Sequence, residues 1–377
     1  MKTNVPSAFR LLVPALLALA AAPQRADAQE PPGLPVSTAG GARLERYDFA
    51  EAEAVGIERV SLLTIPFGAE TRVAGRVRLS IAGTFATATL RRPDGSESTL
   101  SGPTDTDVRV TLPLIHEWLT VTGVAVLPTG RQRLSADELE VASLVASDLL
   151  PFAISHWGSG GGVGGSVAVA RRFGTVGVGM SGGYRASREY RALDDDGPAY
   201  RPGDERFVRM AVDRSFGSAK ATLQVGINRY ARDQLGRASL YRSGDRYQVI
   251  GSYALAGPGR TSGVVYTGVL HRRHGSQLSG PAERLPSQNL VLAGAGARIP
   301  LGAGALLPSA DARIFRSSDG VGQGYGVGLG ASAEWPVGRM TLVPSARLRM
   351  GRVVVADDAE SPLDGLELGL TLRRGGR

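Results

Sequence analysis

Five stretches near the end of the chain decide how the rest is read: QNLVLAGAGARI (288–299), ALLPSADARIFR (305–316), GYGVGLGASAEW (324–335), MTLVPSARLRMG (340–351) and GLELGLTLRR (365–374). Each alternates large or apolar residues with small or polar ones. In the second, Pro308, Ala310, Ala312 and Ile314 occupy one set of alternate positions; Ser309, Asp311, Arg313 and Phe315 occupy the other. In the fourth, Leu342, Ala346, Leu348 and Met350 stand against Thr341, Ser345, Arg347 and Arg349. A period of two puts such sets on opposite faces of a strand. A long series of strands with one apolar and one polar face is the signature of a transmembrane β-barrel.

The rhythm extends back towards the start of the chain. RVRLSIAGTFATATLR (76–91) sets Val77, Leu79, Ile81 and Phe85 against Arg76, Arg78, Ser80 and Thr84. DVRVTLPL (107–114) sets Val108, Val110, Leu112 and Leu114 against Asp107, Arg109 and Thr111. AETRVAG (69–75) reads as a turn, and residues 92–105, 190–203, 233–244 and 275–287 read as polar loops. Short and long connections alternate, as turns at one membrane surface and loops at the other require. The fold class is therefore all-β: an antiparallel up-and-down transmembrane barrel of about sixteen strands, or fourteen if the first hairpin stays outside the membrane. A barrel of that size is wide enough for an aqueous lumen.

One segment breaks the rhythm. In RQRLSADELEVASLVASDLL (131–150), Leu139, Ala142, Leu144, Val145 and Leu149 fit a 3.6-residue period, and Ser135 with Glu138 forms a capping-box pattern. A short helix is expected inside the longest extracellular loop, folded into the lumen or lying across its mouth.

Composition narrows the alternatives. The chain has 377 residues, 42% hydrophobic, with 51 Gly, 22 Pro and no Cys. Without cysteine there is no disulfide framework and no thiolate metal site. The formal charge is +8, and Lys2 and Lys220 are the only lysines. The arginines are scattered along alternating strands, not gathered in a patch, which argues against nucleic acid as a partner. Lys2 and Arg10, the apolar run 11–22 and Ala26-Asp27-Ala28 read as a secretory signal peptide, residues 1–28. Its apolar run of about twelve residues is short of the roughly twenty a spanning helix needs. Residues 29–41 are a Pro- and Gly-rich periplasmic lead-in, and 42–377 form the barrel, placed in the outer membrane.

The informative charges lie on the polar faces of the strands: Arg76, Arg78, Arg109, Arg209, Asp213, Arg298, Asp311, Arg313, Glu334, Arg347, Arg349 and Glu367. On the lipid face an arginine at mid-depth costs roughly 2–4 kcal/mol, so these residues are expected to line the pore. There they form structural Arg–carboxylate ladders, a basic lining that favours anionic or polar solutes, or both. Aromatic belts are expected from Trp118, Phe173, Phe216 and Trp335 at the short turns, and from Tyr184, Tyr190, Tyr230, Tyr241, Phe315 and Tyr325 near the long loops.

Other chemistry is weakly marked. Gly160, Gly162 and Gly165, and again Gly177, Gly179 and Gly182, match G-x-G-x-x-G, but no helix follows either, so bending or close packing explains them better than a dinucleotide. His271 and His274 lie in a strand-like stretch that points them apart. His156 beside Ser155, with the run Asp194–Asp196, is the nearest approach to a hydrolase constellation, and no spacing forces it. Asp194–Asp196 and Asp357-Asp358 read as solvated loops. No catalytic residue, cofactor or metal site is expected.

DVRVTLPL followed by LTVTGVAVLPTG (119–130) resembles the outer-membrane barrels associated with aromatic-degradation (phenol meta-pathway) gene clusters, in which Leu-Pro-Thr-Gly, here Leu127-Pro128-Thr129-Gly130, precedes a long loop. The resemblance implies solute passage. The chain departs from usual outer-membrane barrels in ending LELGLTLRRGGR, without the C-terminal aromatic that the barrel-assembly machinery reads. The functional expectation is a passive channel for small polar or anionic solutes, with outer-membrane lipid and the assembly machinery as partners. The alternatives are a structural or surface-binding barrel with a plugged lumen and a barrel hydrolase.

Overall fold

The computed structural model describes residues 36–374 apart from 74–75, 116–117, 148–149, 194–196, 258, 260, 279–282, 321 and 357–358. The expected leader and the runs Asp194–Asp196 and Asp357-Asp358 lie outside these residues.

Sixteen antiparallel strands form the barrel. They are β1 (Val36–Phe49), β2 (Arg59–Val73), β3 (Val77–Arg91), β4 (Thr106–Ile115), β5 (Leu119–Leu127), β6 (Gly162–Phe173), β7 (Val176–Ser187) and β8 (Glu205–Phe216). The series continues with β9 (Ala219–Tyr230), β10 (Arg246–Ala256), β11 (Ser262–Arg272), β12 (Gln288–Leu301), β13 (Gly304–Ser317), β14 (Gln323–Val337), β15 (Met340–Ala356) and β16 (Ala359–Arg374). Each pairs with its sequence neighbour, and β16 closes on β1 from Thr38↔Arg374 to Phe49↔Leu363. Closure removes both sheet edges, which lipid cannot satisfy. The start of β1 and the end of β16 therefore lie side by side at the edge where the short turns lie. The first strand starts at Val36, inside the stretch read as lead-in.

Register sorts the faces, because directly paired residues point to the same side. On β12 the outward set is Val291, Ala293, Ala295, Ala297, Ile299 and Leu301; on β15 it is Met340, Leu342, Pro344, Ala346, Leu348 and Met350. Leu301, Leu348 and Met350 are more than 60% exposed, as a lipid-facing side chain is when lipid is left out. Phe173, Phe216 and Trp335 project outward at the short-turn rim, where Trp118 stands exposed in its turn, and Tyr184 and Tyr325 project outward near the long loops. The upper belt is thinner than expected. Tyr230 and Phe315 sit on the inward face, and Tyr190 and Tyr241 belong to the loops.

Three loop readings are corrected. Residues 69–73 continue β2 through Thr71↔Leu79 and Val73↔Val77, so the turn is shorter than AETRVAG. Within 92–105, Glu97–Pro103 forms a strand returning along β3, with Ser98, Leu100 and Gly102 opposite Leu90, Ala88 and Ala86. Its alternation buries Leu100 and leaves Thr99 outside, a pattern hidden by its serines and glycine. The loops at 190–203, 233–244 and 275–287 supply a small antiparallel sheet of residues 200–201, 232–235, 238–242, 275–277 and 284–285. Tyr200 donates to the buried Asp233, whose other oxygen accepts from Gly203 N at 3.0 Å, and the Tyr190 ring meets Tyr200 edge-on at 5.7 Å. Burial pushes the Tyr190 phenol up to about 12, and Tyr200 and Tyr241 also shift up, so all three stay protonated as donors.

Two helices are described. A single turn, α1 (Ala52–Val55), joins β1 to β2. The second, α2 (Ala136–Ala146), lies in the loop expected to hold it. Ser135 Oγ accepts from Glu138 N and the Glu138 carboxylate accepts from Ser135 N, which completes the capping box.

Candidate functional site: the lumen and its inward loop

The segment between β5 and β6, residues 128–161, is held at both ends by one carboxylate. Asp105 Oδ1 accepts from Gly130 N at 3.0 Å; Asp105 Oδ2 accepts from Ser159 N and Ser159 Oγ, each at 2.7 Å. Asp105 N donates to the Trp157 carbonyl, and Thr129 Oγ1 meets Thr106 Oγ1 at 2.8 Å. A Cβ at Gly130 would stand 2.2 Å from the Trp157 carbonyl oxygen, so only glycine allows this approach. The Leu-Pro-Thr-Gly stretch is thus the hinge from which the loop turns inward.

From this clamp the loop folds against the inner wall of β1–β3. Val141 and Val145 of α2 are buried with Trp157 against Val60, Leu62, Ala86, Ala88, Leu90 and Leu100. Each aliphatic side chain so buried contributes about 1.5–3 kcal/mol. Trp157 Nε1 donates to the Ala86 carbonyl at 3.2 Å, Phe152 meets Tyr47 edge-on at 5.1 Å, and Ala153 N donates to the buried Glu45 at 2.9 Å. Arg131 and Arg92 pair with Glu138 and Glu140 on the helix. The inner wall is continuously apolar here, where the loop lies on it.

Facing the helix end is the opposite wall. A cavity of about 590 Å³ runs between Ala146, Ser147 and Ser155 on the loop side and Arg246, Arg272, Gln288, Phe315 and Ser317 on β10–β13. Pro286, Asp319 and Gly322 complete it.

The sequence-expected charges fall as follows. Register puts Arg78, Arg109, Arg209, Asp213, Arg298, Asp311, Arg313, Glu334, Arg347, Arg349 and Glu367 on the inward face. Arg76 sits in the turn before β3 instead of on a strand face. Arg298 on β12 reaches Glu334 on β14 at 3.0 Å, passing over β13. Arg347 and Arg349 on β15 reach Asp311 on β13, passing over β14; the Arg349 contact is 2.8 Å. Arg172 on β6 reaches Asp213 on β8 at 3.5 Å, passing over β7. Strands lie about 4.8 Å apart, so such pairs span roughly 10 Å of backbone. Side chains converge across that distance on the concave face of a barrel and diverge on the convex one.

Glycine opens the path. A Cβ at Gly328 would lie 2.9 Å from Asp311 Oδ1 and 3.0 Å from an Arg349 guanidinium nitrogen; one at Gly177 would lie 2.5 Å from Asp213 Oδ1. The inward positions of β14 are Gly324, Gly326, Gly328 and Gly330, and those of β7 include Gly177, Gly179 and Gly183. In the second G-x-G-x-x-G stretch, Gly177 thus serves as a lane for a charge pair two strands apart. Glycine at alternate positions of one strand, flanked by strands with alternate arginines and aspartates, was the signal for these pairs.

Sequence reasoning missed several inward groups. Arg43 and Glu45 on β1 join Glu367 and Arg349 through contacts of 2.8–3.8 Å. Arg72, Arg185, Lys220, Arg246 and Arg272 also face inward, as do Glu70, Asp107 and Glu205. Arg209 stacks over Phe207 at 5.0 Å. Taken together, basic side chains on the inward face outnumber carboxylates.

Ser155 Oγ and His156 Nδ1 are 3.1 Å apart, but Asp105, the nearest carboxylate on the loop clamp, is engaged by Gly130 and Ser159. His271 instead faces outward to Asn289 at 2.8 Å, and His274 meets the Leu285 carbonyl. Among the described residues no group of three His, Cys, Asp or Glu forms a metal site. Desolvation by the surrounding loop and wall, with Arg185 acting the same way, holds the His156 imidazole below its ordinary value against the pull of Asp105 and Asp107. A base whose folded value is depressed stabilises the fold above its unfolded value and loses that contribution as pH falls through it. Between about pH 7.5 and about pH 5, limited proteolysis within 128–161 should therefore accelerate, and His156→Gln should flatten the dependence. Equal acceleration in the variant would assign it to another group.

No protein-family model and no curated sequence matches the chain. Solved structures overlap with most of it at low identity. OmpT of Vibrio cholerae aligns at 10% identity over 90% of this chain and 97% of that one, TM-score 0.43. An anion-selective porin from Comamonas acidovorans aligns at 10% over 90% and 99%, TM-score 0.42. A triple mutant of the Rhodopseudomonas blastica porin aligns at 15% over 90% and 99%, TM-score 0.38. Similarity at this level carries nothing about what this chain passes or binds. The resemblance to aromatic-degradation barrels finds no support in these comparisons.

Proposed function

We propose that this chain is an outer-membrane channel through which small anionic solutes diffuse, narrowed by the inward loop 128–161. One observation carries the reading: arginine predominates on the inward face, including Arg246 and Arg272 beside the cavity at the loop. A low-dielectric wall around a water-filled path focuses that charge on the solute, lowering the barrier for anions and raising it for cations. The carboxylates temper the field without cancelling it, because Asp311, Asp213 and Glu367 are each shared between two or more basic groups.

Export through the leader, insertion by the barrel-assembly machinery and contact with outer-membrane lipid belong to the same proposal. The outward apolar set and the closed sheet support it. Reconstituted into a planar bilayer under a salt gradient, the protein should conduct with a reversal potential on the anion side. A cation-side potential would refute the charge argument, and a silent barrel would favour a plugged, structural role.

A further inference from the structure

The two outward-facing rims differ in charge. At the long-loop rim, carboxylates are interspersed with the outward arginines: Arg46 and Arg59 share Asp48, Arg91 meets Glu58, and Arg352 meets Glu360, while Arg206 stacks over Tyr184. At the short-turn rim, Arg171, Arg214 and Arg374 face outward, and among the described residues no Asp or Glu shares that outward rim. Two of these arginines form a local arrangement. Arg171 on β6 pairs across to Val178, and Arg214 on β8 pairs across to Val176, so both flank the same stretch of β7.

Each guanidinium stacks on an aromatic ring two residues nearer the turn. Arg171 lies over Phe173 at 5.4 Å and Arg214 over Phe216 at 4.8 Å. Both head groups are thus carried towards the polar edge of the membrane, at the level of the aromatic belt, while Val176, Val178 and Val212 continue the apolar face below. An unneutralised guanidinium pair above an apolar strip matches a ligand with an anionic head and apolar tails. Guanidinium groups bind phosphate through paired N–H donors.

We propose that the outer face of β6–β8 at the short-turn rim binds an anionic glycerophospholipid, its phosphate held between Arg171 and Arg214 and its acyl chains lying along Val176, Val178 and Val212. The site requires the barrel to span a membrane but does not require an open lumen.

The test uses the full-length protein in mixed bilayers of phosphatidylglycerol and phosphatidylcholine, extracted gently and weighed by native mass spectrometry. The wild type should retain phosphatidylglycerol over phosphatidylcholine. The double variant Arg171→Gln/Arg214→Gln should lose about twenty-five-fold of that preference, each basic group near a membrane surface counting for roughly a factor of five. The double variant Arg171→Lys/Arg214→Lys should keep most of it, and Arg46→Gln/Arg352→Gln at the other rim should keep all of it. Folding of each variant is checked by heat-dependent gel mobility, and the single variants Arg171→Gln and Arg214→Gln, each expected to lose about fivefold, serve if the double glutamine variant does not fold. Equal retention of both lipids by the wild type, or an unchanged preference in the glutamine variant, overturns the proposal. A wild type that inserts and binds the lipid but fails to conduct leaves the site standing and removes only the channel reading.

Discussion

Excision of residues 131–150, with the ends rejoined by a short flexible linker, should raise single-channel conductance severalfold while leaving a folded barrel. The excised part carries α2 with Val141 and Val145, which pack against β2, β3 and Leu100. The clamp that closes the remaining loop, Gly130 and Ser159 on Asp105, lies outside the cut. The barrel's strand-to-strand hydrogen bonds are independent of the loop, since β5 and β6 pair directly from Leu119↔Val169 to Val126↔Gly162. Removing the helix exposes Val60, Leu62 and Leu90 to lumenal water, at about 1.5–3 kcal/mol for each fully uncovered side chain. A sixteen-strand sheet closed by its own ladders can bear that loss. Conductance equal to wild type, in a variant that folds by heat-dependent mobility, would show that the loop does not set the width of the path. A milder version is Trp157→Ala, which loses the Ala86 contact and its packing, and should make current noisier before it makes it larger.

The strands were legible because their signal is local. Period-two alternation in 288–374 needs no partner to be read, and the same holds for α2, whose capping box lies within four residues. What stayed hidden depends on partners far along the chain. Glu97–Pro103 is a strand only because Ala86, Ala88 and Leu90 stand opposite it. The small loop sheet pairs residues from three separate loops, and turn-rich segments such as GRASLYRSG give no local sign of it. Asp105 gathers groups 25 and 54 residues away, so neither its role nor the need for glycine at 130 was visible in spacing. The inward charges on β12–β16 could be assigned to a face from alternation alone, but their connections could not. Which arginine meets which carboxylate depends on pairs that pass over a strand, and those depend on barrel curvature and on Gly328 or Gly177 beneath them.

That cluster yields two substitutions with opposite signs. Asp311 holds Arg347 and Arg349 from β15, and all three side chains are less than a quarter exposed. In Asp311→Asn both arginines lose their shared charge partner. Anion preference should rise, because uncompensated positive charge now faces the path. Stability should fall by about 1–3 kcal/mol, the usual cost of a lost charged hydrogen bond in a partly buried site. The double variant Arg347→Gln/Arg349→Gln should move selectivity the other way, leaving Asp311 unneutralised over the glycine strip of β14. Glu367 would keep Arg43, so part of the network survives in both variants. Reversal potentials under one salt gradient give the signs, and thermal unfolding followed by gel mobility gives the cost. The decisive feature is the opposition. If both variants shift selectivity in one direction, the cluster acts only as a structural tie, and the anion preference must arise at Arg246 and Arg272 beside the loop.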